Sequence, residues 1–185
     1  MMPEESELEN HNSETDEHQF ELSQEASKET LKVESLSDLQ KICLSLIANA
    51  KYSLQIYSPL LDPRVLNNRD IERRLNLAIR NNRNFRVEIL IRDEKAVQGQ
   101  DHRLVSLSQN YTSFAKIKLI PKDFYENPFA FYLIDGRLLI YRTYADRYES
   151  SIHELPDSKI IEKAKYFKEV WEQASPAVHL RALHL

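Results

Sequence analysis

Arginines interleaved with tyrosines are the side chains in this sequence whose types and spacing best suit chemistry. Tyr141, Arg142, Tyr144, Arg147 and Tyr148 crowd into one short run. Planar guanidinium groups pair with phosphate oxygens and aromatic rings stack on bases, so Arg142, Tyr144 and Arg147 are candidate binding residues. His153 follows in the same polar stretch, and Asp62 lies in an earlier loop that the same groove would draw on. The plainer reading of the run is a packed loop with ordinary surface charge. A second basic set, Arg69, Arg73 and Arg80, shares one face of a helix opposite Ile71, Leu75 and Ala78. It reads as an anion- or nucleic-acid-facing stripe, or as the solvated side of an amphipathic helix.

Other reactive types are thinly spread. Of the six histidines, His11 and His18 fall in an acidic tail, and His179 and His184 in the terminal segment. His102 opens a helix and His153 follows the arginine-tyrosine run, so no two stand at metal-ligand spacing beside carboxylates, and no metal is expected. The one cysteine, Cys43, sits in an apolar helical stretch, which predicts a buried filler and permits no internal disulfide. Only Gly99 and Gly136 are glycine. A glycine-rich phosphate loop and a dinucleotide fingerprint are thereby excluded, and no cofactor is expected.

The elements that must position these residues centre on Asn127–Arg142. Two apolar arms flank Asp135-Gly136, the strongest short hairpin dipeptide. Phe129, Phe131 and Leu133 alternate with Ala130, Tyr132 and Ile134, so the first arm is apolar on both faces and should lie mid-domain. Upstream, Ser37 with Gln40 caps a helix carrying Leu39, Cys43, Leu46 and Ile47. Tyr52–Tyr57 reads as a strand, Ser58–Asn68 as a loop, and Asn68 as the cap of a second helix. Phe85–Ile91 and Lys116–Ile120 are further strands, with a helix over Asp101–Asn110 between them. Thr143–Pro156 reads as a polar loop, after which Asp157 caps a closing helix to Ala174. This order predicts an α/β domain with a mixed, mostly parallel sheet and helices on both faces.

Composition bounds the rest. With 185 residues, 42% hydrophobic and 29% charged, the chain suits one domain with a real core. Its formal charge of −4 hides two unlike parts. Residues 1–30 hold ten acidic side chains and one basic, a net of −9, which leaves 24 basic and 19 acidic, a net of +5, for 31–185. Residues 1–19 have no apolar periodicity and are expected to be a disordered acidic tail. Residues 20–35, with Phe20, Leu22, Leu31 and Val33, read as a short strand or latch. The domain itself is expected over 36–176, with 177–185 as a C-terminal segment. The start of the chain lacks a basic and apolar leader and no run approaches membrane-spanning length, so a cytoplasmic protein with no membrane partner is expected.

The run LQIYSPLLDPRVLNNRDIERRLNLAIRNNRNFRVEILIRD, with PFAFYLIDGRLLIYR after it, resembles a single unit of the phospholipase D-like superfamily. Aligning Asp135 with the aspartate of that family's His-x-Lys-x-x-x-x-Asp motif puts Pro128 at the nucleophilic histidine and Ala130 at the lysine. The family's following Gly-Ser-x-Asn would fall on Arg142, Thr143 and Ala145. Neither proline nor alanine can attack phosphorus or hold its non-bridging oxygens. The resemblance thus implies a degenerate, non-catalytic module acting in binding or assembly, and leans against an enzyme. It further implies bacterial relatives in which such a unit partners or regulates an acetyltransferase-like protein. Active members bring two units together, so a homodimer or protein partner is expected. Pro128, Phe129, Phe131, Tyr141 and Tyr144 would line that contact, with Asp135 a remnant of the motif. The alternative is a phosphodiesterase or phosphotransfer enzyme, or a nucleic-acid-binding protein taking an anionic ligand, that uses Asp62, Asp135, Arg142 and His153 in the same groove.

Overall fold

The computed structural model describes residues 30–181; Phe20, Leu22 and the expected acidic tail lie outside them, as do His11, His18 and His184. The chain enters through strand β1 (Leu31–Val33) and helix α1 (Leu36–Ala48). The cap of α1 is Ser35 rather than Ser37: its hydroxyl oxygen accepts the Asp38 N–H at 3.1 Å and its proton goes to the Asp38 carboxylate at 2.8 Å. Gln40, expected to complete the cap, instead donates to the Arg64 carbonyl. Next come β2 (Ser53–Tyr57), a short helix α2 (Pro63–Leu66) and α3 (Arg69–Asn81), the last capped by Asn68 as its sequence predicts. After β3 (Arg86–Ile91), α4 (Glu94–Gln98) and α5 (Arg103–Asn110) lead to β4 (Ala115–Leu119). The hairpin strands β5 (Ala130–Ile134) and β6 (Leu138–Arg142) are followed by β7 (Ser150–Glu154), α6 (Ser158–Gln173) and β8 (Ser175–Pro176).

These strands form one open sheet in the order β1-β7-β6-β5-β2-β3-β4-β8. The sheet is mostly antiparallel, which corrects the mostly parallel expectation. Only β2–β3 and β3–β4 are parallel, and the other five pairings run antiparallel. Helical crossovers force parallel pairing only within the β2–α3–β3–α5–β4 stretch. Of the remaining strands, β5, β6 and β7 follow one another through a hairpin and a short loop, while β1 and β8 pair antiparallel with strands distant in sequence. β7 accounts for much of the difference, because Ser150–Glu154 lies inside the stretch that reads as a polar loop. Both edges are very short, with β1 of three residues and β8 of two, which limits pairing with foreign strands.

Two cores sandwich the sheet. On one face Leu54, Ile56, Val87, Ile89, Tyr132 and Ile140 pack under α1, α3 and α5. On the other, Tyr57, Leu90, Phe131, Leu133 and Leu139 pack under Ile160, Phe167 and Val170 of α6. All five residues of β5 are buried, as its two apolar faces predict. Burying each such side chain contributes roughly 1.5–3 kcal/mol, so truncating Phe131, stacked on Tyr57 at 5.2 Å, would cost more than any surface change. The hairpin turns through Asp135 (φ 54°) and Gly136 (φ 64°), the paired left-handed geometry of a type I′ turn.

Candidate functional site at the start of the central hairpin

The Asp135 carboxylate is committed to the turn. It accepts the backbone N–H groups of Tyr52 at 2.7 Å and Ser53 at 2.8 Å, and that of Lys51 at 2.9 Å. It therefore ties the start of β2 to the hairpin tip. The other end of the hairpin, five residues away along β5, is where the remaining candidates gather.

There Ala130 lies opposite Arg142 across β5 and β6. Alternation puts both on the face covered by α1 and α2, together with Tyr132. Arg142 is fully buried, and its guanidinium makes four hydrogen bonds to the protein itself. It donates to the carbonyls of Ala145 at 2.6 Å and Arg147 at 2.7 Å, to Asp62 Oδ2 at 3.1 Å and to the Tyr132 hydroxyl at 3.4 Å. Burial works against its charge, but Tyr132 and the Asp62 carboxylate more than offset this and hold its pKa above the ordinary value. Burial pushes the Tyr132 hydroxyl up as well, so it stays neutral. Burial raises the adjacent Cys43 thiol to about 12 against the opposing pull of Arg142, which makes it inert filler.

Asp62 serves a second purpose, because its other oxygen caps α2 by accepting the Arg64 N–H at 3.1 Å. Arg64 in turn lies over the Tyr148 ring, 4.9 Å from its centroid, with Arg142 at 5.6 Å. The loop from 143 to 149 is drawn inward over this cluster, and the Ala145 N–H donates to the Pro128 carbonyl at 2.7 Å. The space beside Ala130 is thus occupied by protein, while Pro128 itself is exposed.

The other candidates stand apart from this cluster. Tyr144 is 46% exposed, and the Arg147 guanidinium stacks on it at 4.8 Å. Arg69, Arg73 and Arg80 are exposed along α3 with Ile71, Leu75 and Ile79 turned inward. Among the described residues these three arginines make no ion pair, although Arg80 donates to the Tyr111 hydroxyl at 3.2 Å. His153 is on β7, on the opposite face of the sheet from Arg142. It is buried between Asp157 (2.7 Å from Nδ1) and Ser151 (2.8 Å from Nε2). His102 caps α5 as a buried, neutral imidazole whose pKa burial lowers to about 4.

The aromatic residues expected to border a partner are also largely internal. Phe129 and Phe131 are buried, and Tyr141 is half-buried; α6 covers them with Tyr166 and with Lys163, whose ammonium sits 4.2 Å from the Phe129 ring centroid. Of the expected contact set, Pro128 and Tyr144 face water, while the closing helix covers Phe129, Phe131 and Tyr141. Lys163 and Tyr166 escape a sequence reading because their partners come from β2, β5 and β6. Ser151 could have been found by reading Ser-Ser-Ile-His-Glu as a strand, which puts Ser151 and His153 on one face.

A cleft of about 530 Å³ opens beside β4 between Ile117, Ala177 and Leu180, away from every sequence-predicted site residue. Among the described residues no three His, Cys, Asp or Glu side chains group as metal ligands, and no helix is long and apolar enough to cross a membrane.

Sheet order, the three parallel strands β2, β3 and β4 and the buried hairpin together make a phospholipase D-like fold. Three solved structures share it. TrmBL2, an archaeal chromatin protein with a novel mode of DNA binding, matches with a TM-score of 0.57 at 12% identity, over 86% of this chain and 58% of that one. NucT from Helicobacter pylori matches at 0.55 and 15% identity, over 80% of this chain and 99% of that one. The phosphatidylserine synthase of Haemophilus influenzae Rd KW20 matches at 0.53 and 14% identity, over 83% of this chain and 41% of that one. This chain therefore spans less than two thirds of the first and third. Residues 35–183 match the family described as Domain of unknown function (DUF7931), and the chain belongs to that family. No curated protein matches it.

Proposed function

We propose that this chain is a phospholipase D-like module that acts by binding or assembly and does not cleave phosphodiesters. The observation that carries the reading is Arg142. Its guanidinium lies buried beside Ala130, where the resemblance places the phosphate-gripping lysine, and it is held by four hydrogen bonds to the protein. A phosphate could reach it only by displacing Asp62 and two backbone carbonyls. Pro128, at the histidine position, offers no nucleophile. The module would serve a second copy of itself or another protein chain; the acetyltransferase-like partner implied by the resemblance is one such chain. Incubating purified protein with bis(p-nitrophenyl) phosphate should release no p-nitrophenol above background. Reproducible turnover would overturn the reading.

A second reading, binding of an anionic polymer such as nucleic acid, is favoured by the exposed arginines of α3. Arg69, Arg73 and Arg74 lie on solvent with no carboxylate partner among the described residues. TrmBL2, of the same fold, is a DNA-binding chromatin protein. Its test is fluorescence anisotropy with labelled duplex DNA across a salt series. Binding should weaken with salt, and more so in Arg73→Ala/Arg74→Ala. Anisotropy that does not rise at low salt would remove this reading.

A further inference from the structure

The face of the sheet under α6 carries a constellation with no part in the Arg142 network. His153 Nδ1 is 2.7 Å from Asp157 Oδ2, and His153 Nε2 is 2.8 Å from Ser151 Oγ. Three elements produce this geometry. Alternation along β7 puts Ser151 and His153 on one face, and the turn into α6 returns Asp157 to the imidazole as the helix cap. Asp157 is further fixed by the Lys159 N–H, which donates to its other oxygen at 2.8 Å.

Proton bookkeeping fixes who donates. Burial works against the Asp157 charge, but hydrogen bonds from His153 and Lys159 together with their charges outweigh it and hold its pKa below the ordinary carboxylate value. An ionised carboxylate only accepts, so Nδ1 carries the hydrogen. In the neutral imidazole Nε2 is then the acceptor, and the Ser151 hydroxyl must donate to it. This is the order in which a base activates a serine: carboxylate orienting imidazole, imidazole drawing the hydroxyl proton.

Cationic side chains share the face of the sheet around Ser151. Ser151 lies in register between Lys32 of β1 and Tyr141 of β6, so all three point to the same face. The Lys159 ammonium sits 4.0 Å from the Tyr141 ring centroid. Ser151 is only part-buried, on a strand flanked by a three-residue edge. Ser151 is therefore not sealed inside the core.

We propose that Ser151 is an activated nucleophile, with His153 its general base and Asp157 the positioning residue, and that it accepts an acyl group from small activated esters. The Oγ attacks the carbonyl carbon as its proton passes to His153 Nε2. The C–O bond to the alkoxide or phenoxide breaks, and the leaving group departs with that proton, which returns His153 Nε2 to its neutral, accepting state. Water then attacks the acyl-serine, its proton going to Nε2, and the acid is released as Ser151 regains its hydrogen. The site is separate from the Arg142 cluster, so it stands or falls independently of the function proposed above.

The test is covalent labelling of the intact chain with a fluorophosphonate, which forms an Oγ–P bond and expels fluoride. Peptide mass spectrometry should map the adduct to Ser151, and Ser151→Ala should carry none there. The deciding variant is Asp157→Asn. Asparagine keeps the helix cap and the volume, so the chain stays folded, but its amide can donate to Nδ1 and so favour the wrong tautomer. Labelling should slow at least about tenfold, with the melting temperature of the variant confirming that it is folded. A purely structural role for the three residues predicts no adduct, or equal labelling of wild type and Asp157→Asn. Failure to label Ser151, or slowing of less than tenfold, overturns the proposal.

Discussion

Replacing Arg142 with methionine tests whether the buried guanidinium is the keystone of the hairpin end. Methionine keeps most of the apolar stem and removes every donor. Asp62, whose side chain is 12% exposed, loses its buried cation, while the carbonyls of Ala145 and Arg147 lose charged donors at 2.6 and 2.7 Å. Removing one partner of a buried pair costs about 3–5 kcal/mol, because the survivor keeps its desolvation penalty. The loop carbonyls can recover water as the loop loosens, so the lower part of that range, about 3–4 kcal/mol, is expected. With a urea slope of roughly 2 kcal/mol per molar, the unfolding midpoint should drop by about 1.5–2 M. Asp62→Asn alone should cost less, since its amide oxygen can still accept. The double variant Asp62→Asn/Arg142→Met should fall short of the sum of the singles by at least about 1 kcal/mol, the signature of residues sharing one network. Urea unfolding followed by circular dichroism reads all four corners of the cycle. A loss below about 1 kcal/mol for Arg142→Met, or additive singles, would refute the reasoning.

Three other perturbations follow from the same geometry. His102 is neutral when folded, with a pKa lowered by burial from 6.5 to about 4, so the unfolded chain binds a proton between those values that the folded chain refuses. Stability should therefore be full above about pH 6.5, decline as pH falls, and flatten near 4, a loss of about 3 kcal/mol; urea titrations should show this slope vanish in His102→Asn, which keeps an N-cap. Asp135→Ala strands the N–H groups of Lys51, Tyr52 and Ser53 and puts alanine at φ 54°, so it should lose about 1–3 kcal/mol by thermal melting, and Asp135→Asn less. Ala130→Lys forces a second cation against Arg142 in a filled space, so Pro128→His/Ala130→Lys should be destabilised and still fail to hydrolyse bis(p-nitrophenyl) phosphate; acquisition of turnover would show that the space is open.

Local signals in the sequence were enough for the hairpin, the α3 and α6 caps and the apolar stripes of the long helices. Asp-Gly demands a type I′ turn, Asn68 and Asp157 accept their own helices' N–H groups, and periodicity assigns faces without any partner. β5 reads as a doubly buried strand because both of its alternating sets are apolar. Sheet order did not follow from such signals. Leu31 and Val33 hint at β1, but β7 and β8 are too short or too polar to announce themselves, and the antiparallel pairing of these strands turns a parallel expectation into a mostly antiparallel sheet. Candidate residues divide in the same way. Arg142 has the composition of a phosphate ligand, and only its neighbours, Asp62 from eighty residues earlier and the loop closing over it, turn it into an internal strut. His153 looks unpaired until β7 sets Ser151 two residues before it on the same face and α6 returns Asp157 to its ring. A charged or polar side chain carries the same chemistry wherever the chain places it. Whether it meets solvent, a ligand or the protein's own acceptors depends on contacts between distant segments, which local sequence does not encode.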